Sequence, residues 1–444
     1  MQIRKMFTHY GFIIAVGDLF FLAVSLVATI LIRYQFAVTG EIITLHVEPF
    51  LYIFALWIFC AFVIGLYDRS LGSHSAIIWR LSRSHLWTGA IAVAMFYFVP
   101  FFSIAPKTNL FIFLGLSLIL LSLWRTVVTN SILPKRRVCV IGEGADVHEL
   151  VNEIKNEPGH RMIVSRFVDL ATVSAESLAG TVHALRQESF DALIIDSTHP
   201  KVTADPHVFF DGLLAGVSYF DLRDFYEIIF RRVPLSLVNE RWFIEHMNAH
   251  TQTGYAVIKR AIDIVCSLCI APVYFLLLPF VWCAVYLEDR GPLFVKQERI
   301  GKYGKQIWIK KIRTMRGSDA GKWVEKGDMR VTRVGRLLRK TRIDELPQIF
   351  SVLTGDISLI GPRPDISGLG KELQSKLPYY SVRTLVSPGL SGWAQVSQDY
   401  APQSLEETRL RLAYDFYYIK NRSIALECSI ILKTIRTLLS RVGV

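Results

Sequence analysis

Two neighbouring carboxylates, Asp344 and Glu345, stand in a stretch crowded with cations: Arg333, Arg336, Arg339, Lys340 and Arg342 precede them and Arg363 follows. Phosphoryl chemistry uses this inventory. One carboxylate can attack phosphorus or hold Mg2+, while guanidinium groups grip phosphate oxygens through paired hydrogen bonds. Arg363 lies in Gly361-Pro362-Arg363-Pro364, where prolines pre-set the backbone and so fix the direction of the guanidinium. The same residues also suit a solvated helix face of mixed charge, and spacing alone leaves both readings open.

The chain that must position these groups has 444 residues, is 52% hydrophobic and has a mean hydropathy of +0.35. That is too long for one ordinary domain and too apolar for a purely soluble one. A net charge of +12 could serve nucleic acid, anionic lipid or a phosphorylated substrate. In a membrane protein it points to the last two, and no nucleic-acid partner is expected. The six cysteines, Cys60, Cys139, Cys266, Cys269, Cys283 and Cys428, make no paired metal-ligand set. Cys266 and Cys269 form a CxxC inside a continuous apolar run, away from the βαβ setting of a redox motif, and read as buried or lipid-facing residues. The first apolar run is long enough to span and lacks a small-residue cleavage site, so no cleavable signal peptide is expected.

Four apolar stretches, at about 11–31, 50–67, 87–104 and 109–124, approach the ~20 residues that cross a hydrocarbon core. They predict a four-helix membrane domain over residues 1–130. Arg4 and Lys5, then Arg69, Arg80 and Arg83, then Arg125, Lys135, Arg136 and Arg137 alternate with poorly charged loops, so the N-terminus and everything after residue 125 should face the cytoplasm. Asp18 and Asp68 are intramembrane or boundary acids, read as structural. From Arg137 the pattern changes. Val138-Cys139-Val140-Ile141 reads as a buried strand, Gly142-Glu143-Gly144 as a turn, Ala145 to Asn156 as a helix, and Ala192 to Asp196 as a second strand. A Rossmann-like α/β module over 131–250 follows, although position 147 is Val where the third glycine of a dinucleotide fingerprint belongs, and Asp169 lies rather far on for a ribose ligand. The expected role is structural or regulatory. A fifth apolar run, 264–287, is interrupted by Pro272 and Pro279. If it crossed, the carboxylate pair would lie outside the cell. The many cations after it favour a broken helix, at about 260–288, that enters and leaves on one face.

Read in order, Lys259-Arg260-Ala261-Ile262-Asp263, Gln297-Glu298-Arg299-Ile300-Gly301, Lys311-Ile312-Arg313-Thr314-Met315, Arg342 to Gln348, Gly361 to Pro364 and Ser387 to Val396 resemble the bacterial sugar transferase family. These are the monotopic phosphoglycosyl transferases, and the resemblance covers roughly 255–440, with the preceding helices and α/β module similar to its large members. It implies an α+β monotopic catalytic domain over 251–444 with a re-entrant membrane helix broken at Ala271-Pro272, on the cytoplasmic face of a bacterial inner membrane. It implies that a sugar 1-phosphate passes from a UDP-sugar to undecaprenyl phosphate with release of UMP, the first step of polysaccharide or glycoconjugate assembly. By the same resemblance Asp344 is the nucleophile that forms a phospho-aspartate, and Glu345 is the second catalytic carboxylate and the ligand of a Mg2+ cofactor. Arg339, Lys311 and Arg313 match phosphate-binding motifs beside Arg363, and Gln395 with Trp393 lies in a Gly-rich turn suited to a nucleotide pocket, core packing being the alternative for Trp393. Two departures stand out: Ala271 replaces a frequent Ser before the proline, and Arg342 replaces a small or polar residue.

Two other functions compete. A membrane-tethered NAD-dependent nucleotide-sugar dehydratase or epimerase would use Tyr255 and Lys259 at YxxxK spacing, and a non-catalytic scaffold of polysaccharide assembly would need only the basic faces. The final segment, from Ile424 to Leu439, is amphipathic and suits either the head-group layer or the catalytic domain. Which sugar moves, and whether the chain forms a homo-oligomer, stay open.

Overall fold

A computed structural model describes residues 2–67, 74–98, 107–128, 136–156, 162–174, 190–205, 218–247, 253–317, 330–398 and 402–440, with a few single positions between 178 and 210. Contacts divide the chain into two compact units, Met1–Ile229 and Phe230–Val444.

The first unit opens with four helices, α1 (Gln2–Arg33), α2 (Gly40–Ile64), α3 (His74–Phe98) and α4 (Lys107–Val127). Three contain stretches long and apolar enough to cross a membrane: Ile13–Arg33, Gly40–Ile64 and Thr108–Val127. Among the described residues α3 does not reach that standard. It begins well before the apolar run expected at 87–104 and takes in Arg80 and Arg83, while residues 99–106 lie outside those described. The helices share an apolar core of Leu22, Phe50, Trp57, Leu81 and Phe113. Polar links cross it. Arg125 donates to Asp18 at 2.5 Å, and the Tyr67 hydroxyl donates to the same carboxylate at 2.8 Å, so Asp18 is a fully buried ion-pair partner. Asp68 lies outside the described residues.

Next come β1 (Arg136–Gly142), α5 (Ala145–Asn156), β2 (Met162–Asp169), β3 (Ala192–Ile195), β4 (Ser218–Asp221) and α6 (Leu222–Phe230). The four strands form an all-parallel sheet in the order β2-β1-β3-β4. β1 reads as a continuous buried run because it lies inside the sheet between β2 and β3, and α5 buries Val147, Leu150, Val151 and Ile154. Register brings Asp169 opposite Gly142 despite their separation in sequence, and Asp169 accepts the Ala171 N–H at 2.9 Å.

The second unit holds α7 (Glu240–His246), α8 (Thr253–Asp289), the antiparallel pair β5 (Phe294–Ile300) and β6 (Gln306–Ile312), α9 (Arg333–Thr341), α10 (Ile349–Thr354), β7 (Ser358–Ile360), α11 (Ser367–Lys376), β8 (Gly389–Ser391), α12 (Trp393–Ser397), α13 (Leu405–Lys420) and α14 (Ile424–Ser440). Trp242 of α7 packs in one core with Ile309, Val352, Trp393 and Phe416. Where a break was expected at Ala271-Pro272, α8 keeps helical pairing, with Pro272 and Pro279 both inside one element. A proline removes one N–H rung and crowds the carbonyl four residues back, which does not force a helix to stop. Gly254–Asp289 is again long and apolar enough to cross a membrane.

Both ends of α8 are tied to the same unit. Near its start, Lys259 donates to the Ile360 carbonyl at 2.9 Å and to Glu427 at 2.7 Å, Arg260 donates to the Val352 and Leu353 carbonyls, and Asp263 accepts from the Ser358 hydroxyl at 2.7 Å. At its end, Glu288 accepts the Arg333 N–H at 2.7 Å and the Val334 N–H at 3.1 Å, which caps α9, and Asp289 pairs with Arg313. Between these anchors Leu276, Phe280 and Trp282 are exposed.

Candidate active site

The dyad owes its position to a sharp turn of the backbone at Arg342. α9 ends there, with Arg342 in the left-handed region at φ 57° and its N–H donated back to the Leu338 and Arg339 carbonyls. The chain then restarts as a 3-10 turn over Ile343–Gln348. Such a turn has about three residues per revolution, so neighbouring side chains diverge by roughly 120°. Asp344 points inward, 8% exposed, and its Oδ1 is buried with no hydrogen-bond partner. Glu345 points to Arg363, which donates Nη2–H to Oε1 at 2.7 Å, while Arg342 Nη1 stands 3.6 Å from Oε2. Ile343 packs with Val281 and Val285 of α8 and Leu338 of α9, so the turn rests directly on the apolar helix.

These surroundings pull the two acids apart. Burial pushes Asp344 up to about 6 and the adjacent Glu345 charge adds to the rise, against the opposing pull of Arg342, Arg363 and Arg339. Burial would raise Glu345 as well, but Arg363 and Arg342, with Lys311 behind them, hold it below the ordinary carboxylate value. One acid therefore stays charged while the other titrates just below neutrality, the kind of split that assigns different roles to paired carboxylates.

The remaining candidates fall into three groups. Arg363 and Arg342 touch the dyad, and Arg339 and Lys311 act on it through their charge. Arg339 is held by donating Nε–H to the buried Thr314 hydroxyl at 2.9 Å. This requires α9 to lie close to the chain after β6. Gly335 permits it, since a Cβ there would come within 2.2 Å of the Thr314 carbonyl oxygen. Arg313 is paired with Asp289, and Gln395 offers its Nε2 to the Leu390 carbonyl at 3.5 Å with Oε1 buried and unpartnered. Among the described residues no hydrogen bond or ion pair joins either of them to the dyad. Trp393 lies in the core, donating its indole N–H to the Arg231 carbonyl at 2.8 Å.

The segment that carries Arg363 is fixed by Arg299 and Ile300 of the 297–301 motif and by Arg383, which lies outside every motif. Arg383 donates to the Arg363 carbonyl at 2.9 Å, Arg299 to the Pro364 carbonyl at 2.8 Å and the Ile300 N–H to the Asp365 carbonyl at 3.0 Å. Arg383 is itself buried between Asp365 and Asp415, and Arg411 adds a second cation 3.1 Å from Asp365. Burial would raise Asp365, but Arg383 and Arg411 hold it down to about 2. Parallel pairing of β7 with β8 brings the Gly-Pro-Arg-Pro and Ser-Pro-Gly segments together, so closely that a Cβ on Gly389 would come within 2.0 Å of the Gly361 nitrogen. The acid at 365, directly after the motif, is the signal in the sequence that such a network exists.

No group of three or more His, Cys, Asp or Glu able to hold a metal occurs among the described residues. Mg2+ commonly uses only one or two carboxylates together with substrate phosphates, and the unpartnered Oδ1 of Asp344 beside Glu345 suits that mode. The pair at YxxxK spacing is used otherwise: the Tyr255 hydroxyl donates to Glu427 at 2.7 Å and Lys259 donates to the same carboxylate, locking α8 to α14.

A family model described as bacterial sugar transferase matches residues 254–441. The UDP-N-acetylgalactosamine-undecaprenyl-phosphate N-acetylgalactosaminephosphotransferase of Aeromonas hydrophila is 37% identical over 258 residues, 57% of this chain and 60% of that protein. The UDP-glucose:undecaprenyl-phosphate glucose-1-phosphate transferase of Caulobacter vibrioides is 39% identical over 186 residues, 41% of this chain and 70% of the relative. The exopolysaccharide production protein PSS of Rhizobium leguminosarum is 38% identical over 194 residues, 42% of this chain and 96% of the relative. The chain thus spans about three-fifths of the Aeromonas protein and nearly all of the Rhizobium one.

Proposed function

The chain belongs to the bacterial sugar transferase family, and from that premise we propose that it moves a sugar 1-phosphate from a UDP-sugar to undecaprenyl phosphate. The observation that carries this reading is Asp344 itself. Its carboxylate oxygen is buried without a hydrogen-bond partner, beside a Glu345–Arg363 ion pair, on a turn seated against an apolar helix. An unsolvated carboxylate oxygen next to fixed guanidinium groups is a nucleophile facing an anion site.

In the first step an Asp344 oxygen attacks the β-phosphorus of the donor. The bond from that phosphorus to the bridging oxygen breaks, its electron pair leaves with UMP, and a sugar-phosphoryl aspartate remains. In the second, an oxygen of the lipid phosphate attacks the same phosphorus and the Asp344 carboxylate departs, giving polyprenyl diphosphate sugar. With a pKa of about 6, Asp344 is roughly nine-tenths ionised at neutral pH and needs no general base. Arg363, Arg342 and Arg339 neutralise the phosphate oxygens, and Glu345 keeps Arg363 aimed. When bound, Mg2+ would be held by Glu345 and the diphosphate and would offset charge on the leaving phosphate.

The acceptor is a membrane lipid, and α8 supports a re-entrant placement. A helix that crosses ~30 Å of hydrocarbon leaves its ends on opposite faces, whereas the 259–263 and 288–289 ends of α8 bond to one catalytic unit. The exposed apolar middle would then dip into the inner membrane from its cytoplasmic face, where UDP-sugars are found. The relatives named above act on N-acetylgalactosamine and on glucose, so the sugar is an open variable. Supplying the chain with a panel of UDP-sugars, undecaprenyl phosphate and Mg2+ and measuring UMP tests the reaction, with Asp344→Asn as control. UMP release by the Asp344→Asn chain at the wild-type rate would rule out the phospho-aspartate.

A further inference from the structure

A cavity of about 270 Å3 has Arg363 in its wall, and three separated segments meet there: Gly301 at the end of the β5 motif, Pro362-Arg363-Pro364, and Pro388 before β8. Ligand sites for whole drug-sized molecules span about 300–1,000 Å3, so this one suits a fragment of a nucleotide sugar rather than all of it. Arg363 belongs both to the cavity wall and to the ion pair with Glu345. A diphosphate gripped by Arg363 at Asp344 would therefore extend one of its two ends into the cavity.

The lining indicates which end. Tyr303 stands on the wall, 61% exposed, with the Lys302 ammonium 4.9 Å from its ring centroid. Its backbone is left-handed, φ 55°, between Gly301 and Gly304. An aromatic residue rarely adopts that conformation, and residues held in it cluster at ligand clamps. The wall also includes Gln374 and Lys371 from α11, and Ser381 and Thr384. An exposed ring able to stack, an amide able to read a base edge, and hydroxyls within reach of a ribose describe a nucleoside site better than a hexose site, which would use more acceptors. The buried Asp365–Arg383 pair also lines the cavity, and Arg383 donates to the Arg363 carbonyl, so the cavity wall includes the group that aims the phosphate clamp.

We propose that this cavity receives the pyrimidine nucleoside of the donor, with Tyr303 stacking on the base and Gln374 reading its edge. The assignment rests on the reading of the chain as a UDP-sugar transferase. The test uses the full chain in detergent or nanodiscs and titrates UMP and ribose 5-phosphate against wild type, Tyr303→Ala and Gln374→Ala. Base stacking on an aromatic side chain is worth enough for Tyr303→Ala to weaken UMP roughly five- to hundredfold. Ribose 5-phosphate, which has no base, should bind all three chains alike. In turnover the same variants should raise KM for the UDP-sugar while kcat stays within about twofold. UMP affinity unchanged in both variants overturns the proposal. So does an altered choice among UDP-sugars with unaltered UMP binding, because the cavity would then hold the sugar. Both outcomes leave the transferase reading standing so long as wild type releases UMP, whereas wild type inert towards every UDP-sugar removes the premise.

Discussion

Because burial lifts Asp344 to about 6, folding works against its ionised form. The folded value lies above the ~3.9 of an unfolded aspartate, so the penalty is absent below pH ~4, grows as the pH rises, and is complete above about 6. The gap between the folded and unfolded values corresponds to at most about 3 kcal/mol. Asp344→Asn is therefore expected to abolish UMP release and yet resist unfolding better, by up to about 3 kcal/mol at pH 8 in EDTA and by nothing at pH 4. Denaturant melts at the two pH values check this, and a variant less stable at pH 8 would contradict the burial argument. Arg363→Lys keeps the charge but loses the planar fork, so UMP release should slow roughly ten- to hundredfold. A rate within twofold of wild type would mean that a point charge suffices. Residue type made Asp344, Glu345 and Arg363 candidates, but spacing alone left them equally suited to a solvated charged face, and it was the ordered motifs around them that gave them roles. The left-handed Arg342 was not legible, since no glycine or asparagine marks it and only the packing of the following 3-10 turn imposes it.

At the scale of elements, the approach of α9 to the chain after β6 constrains the site closely. A methyl at Gly335 has no room beside the Thr314 carbonyl, and Thr314 holds Arg339. Gly335→Ala should cost about 1–3 kcal/mol of stability and lower kcat/KM together with it. The Thr314→Val control, which keeps the shape and removes the hydroxyl, should affect activity more than folding. Wild-type activity in both variants would detach Arg339 from the reaction. Regular elements were legible where one side chain pattern dominates. β1 and α5 follow from a buried run and a 3.6-residue period. β2 did not, because Ser165 and Arg166 interrupt its alternation on an edge of the sheet. The two prolines of α8 suggested a break, while the structure keeps one helix through both.

For the molecule as a whole, the anchoring of both ends of α8 predicts its sidedness. In sealed inverted vesicles, single cysteines at Val257 and Arg290 of an otherwise cysteine-free chain should both react with an impermeant maleimide from the same, cytoplasmic, side. Labelling from opposite sides would sink the re-entrant placement. The Rhizobium relative is matched over 96% of its length by 42% of this chain, and the family match lies within 254–441. A chain restricted to Phe230–Val444 should accordingly retain membrane-dependent UMP release, and its inactivity would give the first unit a direct part in the reaction. In that first unit the Asp18–Arg125 pair joins charges 107 residues apart. A charged aspartate in an inserting helix is opposed by up to about 2.5–3.5 kcal/mol at the centre and by less toward the ends, where Asp18 lies in the Ile13–Arg33 span. During synthesis, α1 must therefore wait for α4 to emerge before its acid is neutralised. A polypeptide cut short before Arg125 would keep the Tyr67 hydroxyl but lack the guanidinium, so early truncation strands the acid of the first helix without its paired cation.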